Sequence, residues 1–79
     1  MKMINIGQRT MVPQGSIAQI IELADMADKT ILIKANHEGR LNVLTGRPGR
    51  SAVFFYNGKI VLTPLSAKTI FAHIQKVTF

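Results

Sequence analysis

This 79-residue chain sets ten Lys and Arg against four acids for a net charge of +6, and it has no cysteine and 47% hydrophobic residues. Disulfides and thiolate metal sites are therefore excluded, and no apolar run approaches the roughly 18 residues of a membrane-spanning helix. A chain this short buries only roughly 60% of the surface its unfolded form exposes, so its own core is thin and burial between subunits is the expected support.

Lys2 to Ile6 alternates, with Ile4 and Ile6 on one face, and stops at Gly7, which predicts a short strand ending in a turn. Thr10–Pro13 starts a second extended piece, with Pro13 holding it to an edge or bend. The apolar positions of Ile17–Leu23 fit a strand or a helix equally. Asp25–Glu38 reads as a helix, because Asp25 or Asp28 can cap it, Ala24, Ala27, Ile31, Leu32 and Ala35 form a stripe, and Gly39 stands where a terminating glycine belongs. Arg40–Leu44 reads as a strand, and Thr45–Arg50 breaks the chain with two glycines and a proline. Ser51–Tyr56 is apolar on both faces, which places it inside a sheet or at a subunit contact. Asn57-Gly58 predicts a type I′ hairpin turn, with Lys59–Thr63 as the returning strand. Thr63 or Ser66 then caps a last helix, whose inner face is expected to be Ile70, Phe71 and Ile74.

Charge is the sharpest bulk signal. All four acids, Glu22, Asp25, Asp28 and Glu38, lie in one short segment, while residues 39–79 carry Arg40, Arg47, Arg50, Lys59, Lys68 and Lys76 and no acid. A field this unbalanced favours polyanions, and nucleic acid is the commonest in a cytoplasm. The segment Gly46-Arg47-Pro48-Gly49-Arg50-Ser51 is the expected phosphate grip. Arginine's planar fork takes two phosphate oxygens at once, glycine lets backbone amides approach, and proline limits the order lost on binding. Arg40 is a further candidate contact. It is not a nucleotide-binding P-loop, since no lysine occurs between Lys34 and Lys59. The aromatic residues Phe54, Phe55, Tyr56 and Phe71 are expected mostly in the core, which favours duplex phosphate over stacked single strands. Val53, Phe55 and Tyr56 are the expected contact between subunits.

Catalysis is not indicated. His37 and His73 have no carboxylate motif between them and are expected at exposed positions near helix ends, and Ser16, Ser51 and Ser66 lack an elbow motif. No cofactor or metal is expected.

With Ile4-Asn5-Ile6-Gly7, Val12, Ile17, Ile20, Ile21, then Thr45-Gly46-Arg47 with Arg50 and Val53, and finally Pro64–Ile70, the chain resembles the RemA family of extracellular-matrix regulatory proteins. The similarity runs over nearly the whole chain and rests on order and spacing. It implies a small bacterial transcription activator that assembles into rings and presents its arginine loops to duplex DNA wrapped around the assembly. Where the family loop reads Gly-Arg-Arg-Thr-Arg, Arg47 and Arg50 match the first and third arginines and Pro48 stands at the second. Another family arginine, early in the chain, falls at Ser16.

The expectation is thus one α+β domain over residues 1–79, with a small, mostly antiparallel sheet and two helices, forming a homo-oligomer larger than a dimer. It would act in the cytoplasm as a sequence-tolerant DNA-binding regulator. The alternative is an interaction module that sets its cationic face against an acidic protein partner.

Overall fold

The computed structural model describes residues 2–44 and 49–77, which form six strands and two α-helices. Strands β1 (Met3–Asn5) and β2 (Met11–Pro13) make an antiparallel hairpin. The main sheet has four strands in the order β3 (Ile17–Glu22), β5 (Ser51–Phe55), β6 (Ile60–Thr63) and β4 (Leu41–Val43). Its pairs are antiparallel except β4 with β6, which is parallel because α1 (Thr30–His37) and the turn after it intervene between β3 and β4.

Strand β5 explains its own apolar character. On one face Val53 packs with Ile4, Ile6 and Ile70 beneath the β1–β2 hairpin and α2 (Ala67–Val77). On the other, Ala52 packs with Leu32, Ala35 and Ile60 beneath α1. Both faces of the sheet are thus covered within one protomer. Each large side chain buried this way contributes roughly 1.5–3 kcal/mol, before the entropy of ordering it.

The ambiguity of Ile17–Leu23 has a physical source. Ile17 pairs with Phe55 but Gln19 with Phe54, so β3 carries a bulge at Ala18. An extra residue shifts the alternation by one, and Ile17 and Ile20 consequently pack against the same cluster. Three-residue spacing on one face is what a helix also shows.

Helix α1 is shorter than expected. Leu23–Asp25 forms a 3-10 turn, and the helix starts at Thr30, whose N–H donates to Asp28 Oδ1 at 2.8 Å. At its far end Gly39 (φ 75°) terminates it, with Gly39 N–H bonded to Asn36 O and Arg40 N–H to Ala35 O, the double bond pattern of a Schellman stop. Helix α2 is capped by Ser66, whose Oγ accepts from Thr69 N–H, while Ala67 N–H donates to Glu22 Oε1. Its inner face is Ala67, Ile70 and Ile74; Phe71 is 48% exposed, contrary to expectation.

The two hairpin turns also depart from the simplest reading. In the β5–β6 turn only Gly58 has positive φ (90°), so Asn57-Gly58 does not form a type I′ turn. Gly58 N–H bonds Phe55 O and Phe55 N–H bonds Lys59 O, the pattern of a three-residue loop ending in a bulge glycine. In the β1–β2 turn, closed by Thr10 N–H to Gly7 O at 2.8 Å, three consecutive residues have positive φ: Gly7 (125°), Gln8 (51°) and Arg9 (59°). Holding non-glycine residues there costs roughly 1–2 kcal/mol each.

Candidate nucleic-acid interface

Strand directions bring a defined set of segments to one end of the sheet. Thr63 closes β6, Ser51 opens β5 opposite it, and Glu22 closes β3 opposite Ser51. Leading into β5 at that end, Gly49 and Arg50 are the described part of the expected phosphate loop; Gly46 and Arg47 lie outside the described residues. Gly49 fits closely there, since a Cβ would sit 3.1 Å from the Thr63 backbone and from Leu62 Cβ and the neighbours would have to give by a few tenths of an ångström. Arg50 N–H donates to Thr63 O at 2.8 Å, and Arg50 O accepts from Leu23 N–H at 2.9 Å. The backbone of Arg50 is therefore held from both sides while the residue stays exposed.

Two of the expected contacts are placed elsewhere. The Ser51 side chain is fully buried and donates to Leu65 O at 2.7 Å, so it fastens β5 to the approach of α2 and is out of reach of a phosphate. Arg40 stands at the opposite end of the sheet, beside the β5–β6 turn. Its Nε and Nη2 donate to Glu38 Oε1 and its Nη1 to Gly58 O, which makes it a strut between the end of α1 and that turn. The Arg40 guanidinium in turn holds the Glu38 carboxyl below the usual carboxylate range.

The expected subunit contact divides as well. Val53 is fully buried in its own protomer, whereas Phe55 is half-buried and Tyr56 is 76% exposed. Phe55 lines an open, mostly apolar groove of about 340 Å³ with Val12, Pro13, Ser16, Asn57, Lys59 and Val61. Of the histidines, His37 is exposed at the end of α1 as expected, but His73 is half-buried, its Nδ1 2.8 Å from Asn5 O, and joins α2 to β1. Among the described residues no three His, Cys, Asp or Glu side chains gather as a metal site would need, and no helix is long and apolar enough to cross a membrane.

A family model described as extracellular matrix regulatory protein A-like matches residues 3–74 of the 79. The chain belongs to the RemA-like family. That description names a regulator and no catalytic activity, in keeping with the scatter of histidines and serines. The RemA-like match spans all six strands and runs through α2 as far as Ile74, so the arginine loop and the α2 cap lie within it. A comparison with curated proteins found no match.

Proposed function

We propose that the chain is a duplex-DNA-binding transcriptional regulator that acts in the cytoplasm as a homo-oligomer and grips phosphates through the loop from Gly46 to Arg50. One observation carries the reading: Arg50 is fixed through both backbone groups to Thr63 and Leu23 yet remains exposed, on a chain whose residues 39–79 contain no acid. A cation on a rigid backbone loses little freedom on binding, and a fork-shaped one matches phosphate geometry. Arg47, in the same loop, would add a second contact. Phosphate contacts set affinity and position, so recognition through them alone tolerates sequence.

Duplex titrations by fluorescence anisotropy at several salt concentrations test this. Each phosphate that a variant no longer neutralises lowers the slope of log K against log salt by about 0.9. Arg47→Ala and Arg50→Ala should each weaken binding to specific and scrambled duplexes alike and flatten that slope. Unchanged affinity and slope in both would sink the assignment. Losses confined to a few sequences would mean that the loop reads bases.

For self-association, the mostly apolar groove lined by Phe55 and the exposed Tyr56, its neighbour in sequence, support a contact between copies. Light scattering should give a mass above a dimer, and Tyr56→Ser should shift it downward. A clean 8.7 kDa species in the unmodified protein would overturn the oligomer.

The interaction-module reading draws on a different observation. Ile31 and Ile33 on α1 are exposed, 48% and 70% respectively, on the face of the sheet opposite to the cluster that Phe55 packs against, and exposed apolar side chains on that helix suit a protein partner. Capture of acidic proteins with no duplex binding would favour it.

A further inference from the structure

The β1–β2 turn lies at the same end of the sheet as Arg50, and Thr63 joins them. Thr63 Oγ1 donates to Ile6 O, and its own carbonyl accepts the Arg50 N–H. Gly7 rests so closely on that hydroxyl that a Cβ would lie 2.4 Å from it. Arg9 follows two residues later, its Cα therefore within about 7.6 Å of that of Gly7. One buried residue thus ties together, through its hydroxyl and its carbonyl, the backbone that precedes the Arg9 turn and the backbone of Arg50, which come from opposite halves of the chain.

The turn itself is built against local preference. Positions with φ near +50° to +60° favour Gly, Asn or Asp, and this turn places Gln8 and Arg9 there, both exposed. Neither side chain contributes to the core, so packing does not account for them. Among the described residues the ion pair is Arg40 with Glu38, at the opposite end, and Arg9 has no acidic partner. A turn fastened at its base and carrying an exposed cation, at the same end of the sheet as a second exposed cation, is suited to phosphates of one polyanion.

We infer that Arg9 is a further phosphate-binding residue, acting with Arg50 on the same duplex face, so that the polyanion site is formed by the β1–β2 turn together with Arg50. The inference rests on the duplex-binding reading above. It also gives a cationic contribution from the N-terminal half of the chain.

Anisotropy titrations of a random-sequence duplex over several salt concentrations test it, with wild type, Arg9→Ala, Arg9→Gly, Arg9→Lys, Arg50→Ala and, as a cation at the other end, Lys59→Ala. Arg9→Ala should lower affinity to a degree comparable with Arg50→Ala and reduce the salt slope by about 0.9 for one phosphate left unneutralised. Arg9→Lys should restore part of the affinity. Arg9→Gly is the decisive variant, because it relieves the positive φ: its melting temperature should equal or exceed the wild type's while its affinity falls, which a folding defect cannot imitate. If Arg50→Ala weakens binding but Arg9→Ala and Arg9→Gly do so no more than Lys59→Ala, this inference fails and the duplex-binding reading stands. A wild-type protein that binds no duplex at low salt overturns both.

Discussion

Arg40 and Arg50 occupy opposite ends of one sheet, about 10 Å apart along β6 at some 3.3 Å per residue, and their neighbours use them differently. At the Arg40 end a carboxylate and a turn carbonyl accept from its guanidinium, and the cation is consumed in holding α1 to the β5–β6 turn. At the Arg50 end the described neighbours take the backbone N–H and carbonyl, and the residue is left exposed. A cation's role here depends on which of its atoms the fold employs. Counting positive residues, as a sequence invites, treats the two as equivalent.

The most damaging way to break this comparison is from beneath the Arg50 end. Gly7→Ala would force a Cβ against Thr63 Oγ1 at a φ of 125°, combining backbone strain with overpacking, and should cost about 3 kcal/mol or more. Chemical denaturation should show that loss. A variant as stable as the wild type would mean that Thr63 is not the anchor of that end.

A milder change acts at the other end. Arg40→Ala removes the bond to the Gly58 carbonyl, worth about 1.5 kcal/mol for a charged donor, and should lower the melting temperature while leaving the salt slope of duplex binding unchanged. A flattened slope would return Arg40 to the binding surface. Ser66→Ala, which deletes the α2 cap beside the Arg50 end, should cost about 1 kcal/mol, measured by thermal unfolding.

The smallest expected effect is in the pH dependence of stability. The hydrogen bond from Arg40 lowers the Glu38 pKa, and the bonds from Thr30 lower that of Asp28. A carboxyl depressed by folding contributes stability that is present above its unfolded value and lost as pH falls through its folded value. Stability should therefore decline on acidification through and below the ordinary carboxylate range. Glu38→Gln should shallow the decline slightly, and an identical acid limb in that variant would show that the Arg40 clamp contributes nothing to it.

Much of the architecture is legible from local pattern. The alternation around Ile4 and Ile6 and the apolar run of β5 are visible as patterns of neighbouring residues, and the Gly39 stop and the Ser66 cap follow from interactions between residues near in sequence. What escapes depends on distant partners or on a break in periodicity. The bulge at Ala18 hides the strand character of β3. Both apolar faces of β5 are satisfied by α1 and by α2 with the β1–β2 hairpin, which is why Val53 is interior and not part of a subunit contact. Phe71 has the same hydrophobicity whether it faces inward or outward, and only the docking of Ile70 and Ile74 decides its side.

The candidate site divides along the same line. Two glycines and a proline mark the loop before β5 as a break, which is enough to single out Arg50. The burial of Ser51 escapes because its acceptor, Leu65 O, is fourteen residues on. The strut made by Arg40 escapes because Gly58 is eighteen residues on. Arg9 carries no local signal at all, since glutamine and arginine do not announce a turn.

The hydrogen bond from Thr63 to Ile6 spans 57 residues, and this separation orders events in time. In a growing chain Ile4 and Ile6 have only Val12, Ile17 and Ile20 of their cluster beside them until β5, β6 and α2 have been made. Local hairpins close in microseconds, whereas a pairing of this span waits on the rest of the fold. Strand β1 is therefore among the last parts to be secured, and the Arg9 turn reaches its place at the Arg50 end only when folding is nearly complete. A chain stalled after β5 would carry Arg9 and Arg50 without that arrangement.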